Sequence, residues 1–571
     1  MKKTNMAAIL SSWLLMVSNA HSAQYRVVEL PVTELGESTY PSAMNSAGEI
    51  TVNVQSQYNP QIDIDLLDFS STALTNNLTD VEAAESGDFS DSDYQYLYSY
   101  IVSNAENQLF QQIASLNSYV ATDSGSEIIH GFDTINADTG AYNNSATTQV
   151  RGINDFGYSV GISQDGFYKV NYTTEAVEDL TYVVNDFYAR GFVKMDGEVI
   201  ELAPPDTAGG GLSDAYDINN NNQIVGIGTT ELATDTFQTS INACEDPDER
   251  GDIPLESCLR TLNITLNSTV SSLFQRRGII WQVDSKGNIT DTYTLGMLIT
   301  PDESDTTIYT SSAVAINDYG VAVGQSPAFY QDSTSLTTAA AIYLNNKVLT
   351  INQDDEDEVN VMLSSTATDI NNDNIVVGYA TRSIAGTART KFFVHDVDAD
   401  LTTYPDDFFA SSSSVATAVN NQGMVVGYGE SEVSTGERRS EGFLYDYKND
   451  IFNGLNTLIA CDSPYTIRQA NAINDNNEIA ATAIVRRAQK DIKGEDIVDS
   501  NGATTEVDYI VAVKLVPIAG GSIDNCDESG TYVTRQGGSL GWILIILVLG
   551  GCITRVEDLN IFVADRFRRW S

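Results

Sequence analysis

The chain of 571 residues carries 78 acidic against 30 basic side chains, a net charge of −48, with 42% hydrophobic residues. An excess of that size repels nucleic acid and anionic lipid surfaces, so neither is expected as a partner, and it favours solubility.

At the N-terminus Lys2 and Lys3 precede an apolar run from Met6 to Val17, and Ser18-Asn19-Ala20 supplies small residues after it. This is the form of a secretory signal peptide, 1–20, with cleavage after Ala20 or as late as Ala23. The run is too short to span a bilayer, so the body of the chain is expected to be exported.

From Asn45 onward a phrase of the form A-I-N-[N/D]-x-[G/N]-x-[I/V]-V-G occurs seven times, with its asparagine at Asn45, Asn154, Asn219, Asn317, Asn371, Asn420 and Asn474. Three residues later stands Gly48, Gly157, Asn222, Gly320, Asn374, Gly423 or Asn477. Gly and Asn are the residues that best tolerate positive φ, so each copy predicts a tight hairpin turn. Seven residues after the asparagine, the five inner copies have Gly161, Gly226, Gly324, Gly378 and Gly427, against Val52 and Ala481 in the outer two. A glycine after an apolar strand marks close backbone approach or a bend.

The spacings are 109, 65, 98, 54, 49 and 54 residues, a basic unit of about 50, the length of a propeller blade. A second hairpin falls inside the intervals, as in Gly191–Leu202, with comparable stretches starting at Gly278, Ala341, Phe392 and Gly442. Two hairpins per unit give four strands. The fold class is therefore all-β, a β-propeller over 24–520 of about seven four-stranded blades, with six to eight possible. Tyr25–Leu30 and Tyr509–Val516 both read as strands, and pairing them in one blade would close the ring.

Two intervals exceed one unit. Asp91–Leu116 shows helical spacing in Tyr94, Leu97, Ile101, Leu109 and Ile113, predicting a helical insertion near 89–121, or else a degenerate extra blade. The second insertion, near 230–275, reads as an acidic loop bracketed by Cys244 and Cys258.

With Cys552 in the C-terminal apolar segment, four cysteines remain in the body, an even number for an oxidising compartment. Three pairings are open; locality favours Cys244 with Cys258 and Cys461 with Cys526. Chemical candidates are few. His130 and His395 are the histidines past the cleavage region, and His395 lies in a predicted strand, where a structural role outweighs a catalytic one. No nucleophile elbow, P-loop, dinucleotide fingerprint or zinc spacing is present, so no catalytic, cofactor-binding or metal residue is assigned. Asp217-Ile218-Asn219-Asn220-Asn221 and Asp369-Ile370-Asn371-Asn372-Asp373 imitate half of a calcium loop, but the hairpin turn is the stronger reading, and the run Asp354–Glu358 reads as a solvated loop. No cofactor is expected beyond weak calcium binding.

After a linker, 521–536, Gly537-Gly538 leads into an apolar run, Leu540–Ile553, followed by Arg555, Arg566, Arg568 and Arg569. A run of 14 residues is short of the ~20 needed to span a bilayer, and arginines resist translocation. The segment 537–571 resembles the GlyGly-CTERM sorting signal of Gram-negative bacteria, carried by Gly537, Gly538 and Arg555, although the chain continues through Val556 to Ser571 where such signals usually stop. The repeats resemble HAF-type extracellular repeats, and the whole chain resembles a family of exported bacterial proteins of undefined function. The resemblance implies export and C-terminal processing machinery as partners, membrane contact only through the C-terminal segment, and a cell-surface or extracellular location, membrane-anchored if the segment is kept. Three functions fit: a binding or scaffold protein for a polysaccharide, peptide or protein partner, a hydrolase or lyase using channel carboxylates, or a purely structural surface protein.

Overall fold

The computed structural model describes residues 23–523 apart from 138, 174–178, 303, 330–334, 352–361, 385 and 433–437. The signal-peptide reading (1–20), Cys526, the acidic run at 354–358 and the sorting segment with Gly537, Gly538 and Arg555 lie outside the described residues.

Seven four-stranded antiparallel sheets follow one another along the chain. From the inner strand A to the outer strand D, blade 1 is Gly36–Met44, Ile50–Gln57, Leu116–Thr122 and Gly125–Ile129, and blade 2 is Thr148–Ile153, Ser159–Gln164, Ala189–Met195 and Glu198–Leu202. Blade 3 is Ser213–Ile218, Gln223–Leu232, Phe274–Val283 and Ile289–Thr294; blade 4 is Ser312–Ile316, Ala322–Phe329, Leu336–Leu344 and Lys347–Thr350. Blade 5 is Met362–Ile370, Ile375–Ile384, Thr387–Asp396 and Leu401–Thr403, and blade 6 is Ser414–Val419, Met424–Glu430, Ser440–Asp446 and Ile451–Gly454. Blade 7 takes Thr466–Ile473, Ile479–Ala488 and Glu506–Pro517 from the end of the described chain and its outer strand, Tyr25–Glu29, from the start. Val27 pairs with Leu515, so the expected closure of the ring is present.

The apolar core lies between neighbouring blades. Trp281, Val193 and Ile224 are buried together from blades 2 and 3, and the rings of Phe392 and Phe443, 4.9 Å apart, join blades 5 and 6. Every inner strand shifts register two to four residues before its asparagine, for example between Val150 and Gly152 or Ala416 and Ala418. In the five inner copies the glycine seven residues after the asparagine lies opposite this bulge, whereas Val52 and Ala481 fill the same place in blades 1 and 7. A Cβ on Gly161 would lie 2.1 Å from the Gln149 carbonyl oxygen, and one on Gly427 2.0 Å from that of Val415.

The long intervals are insertions between strands B and C. Blade 1 carries three helices, α1 (Thr72–Thr75), α2 (Val81–Glu85) and α3 (Asp91–Ser103). Tyr94, Leu97 and Ile101 are buried as their spacing required, while Leu109 and Ile113 lie past the helix end, and Leu116 already opens strand C. Blade 3 carries α4 (Asp235–Glu245), α5 (Pro247–Arg250) and α6 (Leu255–Leu273), so the segment expected to be an acidic loop is helical. Cys244 and Cys258 form a disulfide between α4 and α6. Cys461 is also disulfide-bonded.

Candidate functional site

The seven asparagines do more than shape their own turns. Each Oδ1 accepts the backbone N–H groups two and four residues on, as Asn371 does from Asp373 (3.0 Å) and Ile375 (2.9 Å), and fixes the hairpin. The residue three positions on has positive φ in all seven copies, from 56° at Asn222 to 88° at Gly423. The side-chain Nδ2 of each asparagine then donates to the backbone carbonyl of the asparagine in the next blade: Asn45 to Asn154, Asn154 to Asn219, Asn219 to Asn317, Asn317 to Asn371, Asn371 to Asn420, Asn420 to Asn474, and Asn474 back to Asn45. The distances run from 2.9 to 3.4 Å. The result is a closed ring of seven buried side chains around the axis.

A second layer lies outside it. The backbone N–H of the residue after each asparagine donates to the side-chain oxygen of its counterpart in the next blade in six of the seven steps, from Ser46 to Asp155 (2.9 Å) through Asn421 to Asp475 (2.9 Å). Asn220 Nδ2 bridges Asp155 (3.0 Å) and Asp318 (3.3 Å). Burial alone would raise the Asp155 carboxyl, but hydrogen bonds from Ser46 and Asn220 outweigh it and hold the group below its ordinary value. These residues line an axial mouth of about 180 Å³.

Inside the ring, Asp217 and Asp369 stand two residues before their asparagines, on blades 3 and 5. Each carboxylate accepts the next residue's N–H and one from the following blade: Asp217 from Ile218 and Ile316, Asp369 from Ile370 and Val419. Asp369 is half-buried. Burial foremost, with the nearby Asp217 charge adding, pushes its carboxyl up to about 7, against two backbone hydrogen bonds that lower it. Burial likewise raises Asp217. In the two stretches that imitate a calcium loop, the asparagine amides are committed to the neighbouring blade and the leading aspartates to backbone N–H groups; these segments are hairpin turns.

The opposite face differs in kind. In an antiparallel blade the A–B and C–D turns share one face and the B–C and D–A connections the other. The insertions of blades 1 and 3, the hairpin Tyr168–Tyr172/Leu180–Val184 of blade 2 and the loop 489–505 of blade 7 are all B–C connections, so all rise from the face opposite the asparagine ring. They are joined to one another. Asn59 N–H donates to Ile492 O (2.8 Å), and Lys493 pairs with Asp91 (2.6 Å). Lys169 pairs with Asp63 (2.7 Å), while Gln108 reaches Ser257 O and Thr261 Oγ1 in α6. Arg260 and Asn263 of α6 donate to Val183 O and Asp186 O.

Between the blade 1 insertion, the loop 130–145 and the blade 2 hairpin lies a groove of about 630 Å³, lined among others by Asp63, Gln111, Ile135, Asn143, Tyr168 and Lys169. That volume is in the range of small-ligand sites. Ile135 is 57% exposed in it, and the Tyr168 hydroxyl donates to Asp186. His130 stacks on Tyr142 with ring centres 3.6 Å apart, and buried His395 shares a hydrogen bond with Thr402; burial lowers the pKa of both histidines. Sequence reasoning located the ring asparagines as turns and missed their inter-blade bonds. It missed the groove altogether. Among the described residues no helix is long and apolar enough to cross a membrane, and no group of three or more His, Cys, Asp or Glu side chains is placed to hold a metal ion.

Among solved structures the chain is similar to a puromycin-hydrolysing peptidase of Mycobacterium tuberculosis (10% identity, 85% of this chain and 56% of that one, TM-score 0.35). It is also similar to an acylaminoacyl peptidase of Pyrococcus horikoshii (8%, 85% and 52%, TM-score 0.34) and to an oligogalacturonate lyase in complex with manganese (9%, 87% and 98%, TM-score 0.29). The chain spans about half the length of the peptidases it matches. No curated protein matches its sequence. The family model described as "Protein of unknown function (DUF3466)" matches residues 3–555, and the chain belongs to that family.

Proposed function

We propose that this protein is exported and acts at the cell surface or in the medium as a binding and scaffold propeller, engaging a polysaccharide, peptide or protein partner through its insertion-bearing face. One observation carries the reading: the insertions of four successive blades, 7, 1, 2 and 3, rise from one face and are joined by hydrogen bonds and ion pairs, and those of blades 1 and 2 border a groove of ligand size. Loops held by a rigid scaffold are where binding residues concentrate. Export rests on the signal-peptide form of residues 1–20, and surface display or release on the Gly537-Gly538 segment with its arginines.

The test is a screen of the purified mature protein against glycan, peptide and generic hydrolase-substrate panels, with and without calcium, followed by Ile135→Asp and Tyr168→Ala in the groove. A ligand lost in both variants at unchanged melting temperature supports the reading. A ligand indifferent to both places recognition elsewhere.

A second reading, a hydrolase or lyase, draws on one observation: the carboxyls of Asp217 and Asp369 both stand inside the ring on backbone N–H groups, and burial raises both, Asp369 to about 7. Such a pair divides acid and base roles. Turnover of any screened substrate that disappears in both Asp369→Asn and Asp217→Asn would establish it.

A further inference from the structure

The second residue after each ring asparagine stands at the tip of the A–B turn, beside the axial mouth. In blades 3, 6 and 7 it is an amide, and Asn221, Gln422 and Asn476 each donate to the backbone of the next blade at Asp318, Asp475 and Ser46. In blades 2 and 4 it is Phe156 and Tyr319, whose side chains make no such bond. They are 62% and 75% exposed, the two most exposed large hydrophobic side chains among the described residues. The turn itself asks for no aromatic there, since Ala47, Asn221, Asp373, Gln422 and Asn476 fill the same position in the other copies. Two blades that flank a third thus present exposed rings at the same turn position, one on either side of the amide-bearing turn of blade 3.

Between the two rings stand Asn220 and exposed Asn221 of blade 3, bordered by Asp155 and Asp318. Asp155 accepts from Ser46 N–H and Asn220 Nδ2, and Asp318 from Asn220 N–H, Asn220 Nδ2 and Asn372 Nδ2, so Asp155 keeps the larger share of its four lone-pair sites for a ligand. An aromatic platform on either side of a hydroxyl-accepting floor matches a ligand with flat C–H faces and many O–H donors. A protein interface needs an apolar core within roughly 800 Å² per partner, and two rings separated by amides and carboxylates do not supply one. Acidic polymers are repelled by the floor carboxylates and by the net charge of −48.

We infer that the asparagine-ring face carries a binding site for neutral polysaccharide chains, with Phe156 and Tyr319 as stacking platforms and Asp155 and Asp318 as hydroxyl acceptors. This site is independent of the insertion-face groove.

Affinity electrophoresis of the full exported protein through gels containing hydroxyethylcellulose, galactomannan or xylan tests it, with polygalacturonate as the acidic control. At least one neutral polymer should retard the protein and polygalacturonate should not. Phe156→Ala with Tyr319→Ala should weaken retention at least tenfold. Phe156→Trp with Tyr319→Trp should preserve it. Because both side chains are exposed, the melting temperature of the alanine pair should match the parent. Absence of retardation by all three neutral polymers, or equal retardation of the alanine pair, overturns the proposal. So does loss of self-association or of a bound protein in the alanine pair without any glycan effect, which would make the patch a protein-docking surface.

Discussion

A single asparagine in this propeller satisfies two N–H groups of its own turn and one carbonyl of the next blade, while being about 4% exposed. Leaving such groups unpaired is expensive, since each orphaned buried polar group costs about 1–3 kcal/mol. Asn371→Ala should therefore destabilise by about 2–4 kcal/mol, read as a lower urea midpoint at unchanged slope. The position three residues on obeys a different constraint. Gly423 has φ of 88°, and a Cβ there meets the flexible Lys448 side chain at 3.0 Å, so backbone strain dominates over collision. Gly423→Val should cost more than about 1 kcal/mol, whereas Gly423→Asn, the residue three sister copies use, should cost clearly less; equal melting temperatures for the two would remove the turn from the explanation. Asp369 gives the pH dependence. A carboxyl whose folded pKa is raised to about 7 binds its proton more tightly folded than unfolded, where the value is about 3.9. Its contribution to stability is thus greatest below about pH 4 and is lost as pH rises toward 7. Asp369→Asn removes that loss, so the stability of the variant relative to the parent should improve between pH 4 and pH 8. A pH-independent difference would show that the folded and unfolded pKa values are alike.

At the scale of elements, hairpins were legible because a turn with positive φ restricts residue choice to Gly or Asn at one fixed offset, and that restriction recurs seven times. Helix α3 was legible for a similar reason: Tyr94, Leu97 and Ile101 repeat at helical spacing and form its buried face. Helix α6 carried the same signal: Leu262, Leu266, Val270 and Leu273 repeat at helical spacing and pack with Phe237 and Phe274. The acidic residues between Cys244 and Cys258 suggested a loop instead. What the spacing does not reveal is its polar side, where Ser257, Arg260 and Asn263 are buried and hydrogen bonds run from Arg260 to Val183 and from Asn263 to Asp186. The inter-blade asparagine bonds were hidden in another way, since they join residues 49 to 109 apart that no local pattern relates. The groove shares that obscurity, being built from three separate connections. Docking through polar contacts also implies dependence on the Cys244–Cys258 crosslink between α4 and α6. Closing a loop of 14 residues is worth about 3 kcal/mol. Cys244→Ser with Cys258→Ser should open the insertion to proteolysis within 235–273 while the propeller stays resistant. Cleavage no faster than in the parent would show that the polar docking suffices alone.

The whole molecule is a ring, and a ring is only as stable as its closure. Blades 1 to 6 each draw four strands from one stretch of chain, but blade 7 takes its outer strand from the N-terminus. Tyr25 and Val27 pack on the blade 7 core beside Val511, Val513 and Leu515, and Arg487 of the same blade binds Glu29 and Glu34 at 2.8 Å. The asparagine ring closes at the same junction, where Asn474 reaches Asn45 at 3.4 Å, the longest of the seven links. Removing residues 23–30 would strip the outer edge of Glu506–Pro517 of its partner and uncover that apolar cluster. Such an unpaired edge invites pairing with another chain. The truncated protein should melt several degrees lower and self-associate, with losses beginning at blades 7 and 1 in hydrogen exchange. A synthetic peptide of the sequence Tyr25–Leu30, added in excess, should restore protection first in Glu506–Pro517. Equal melting temperatures before and after truncation would mean that the asparagine ring and the blade interfaces hold the circle shut without the N-terminal strand, and that strand would then serve only to cover an edge.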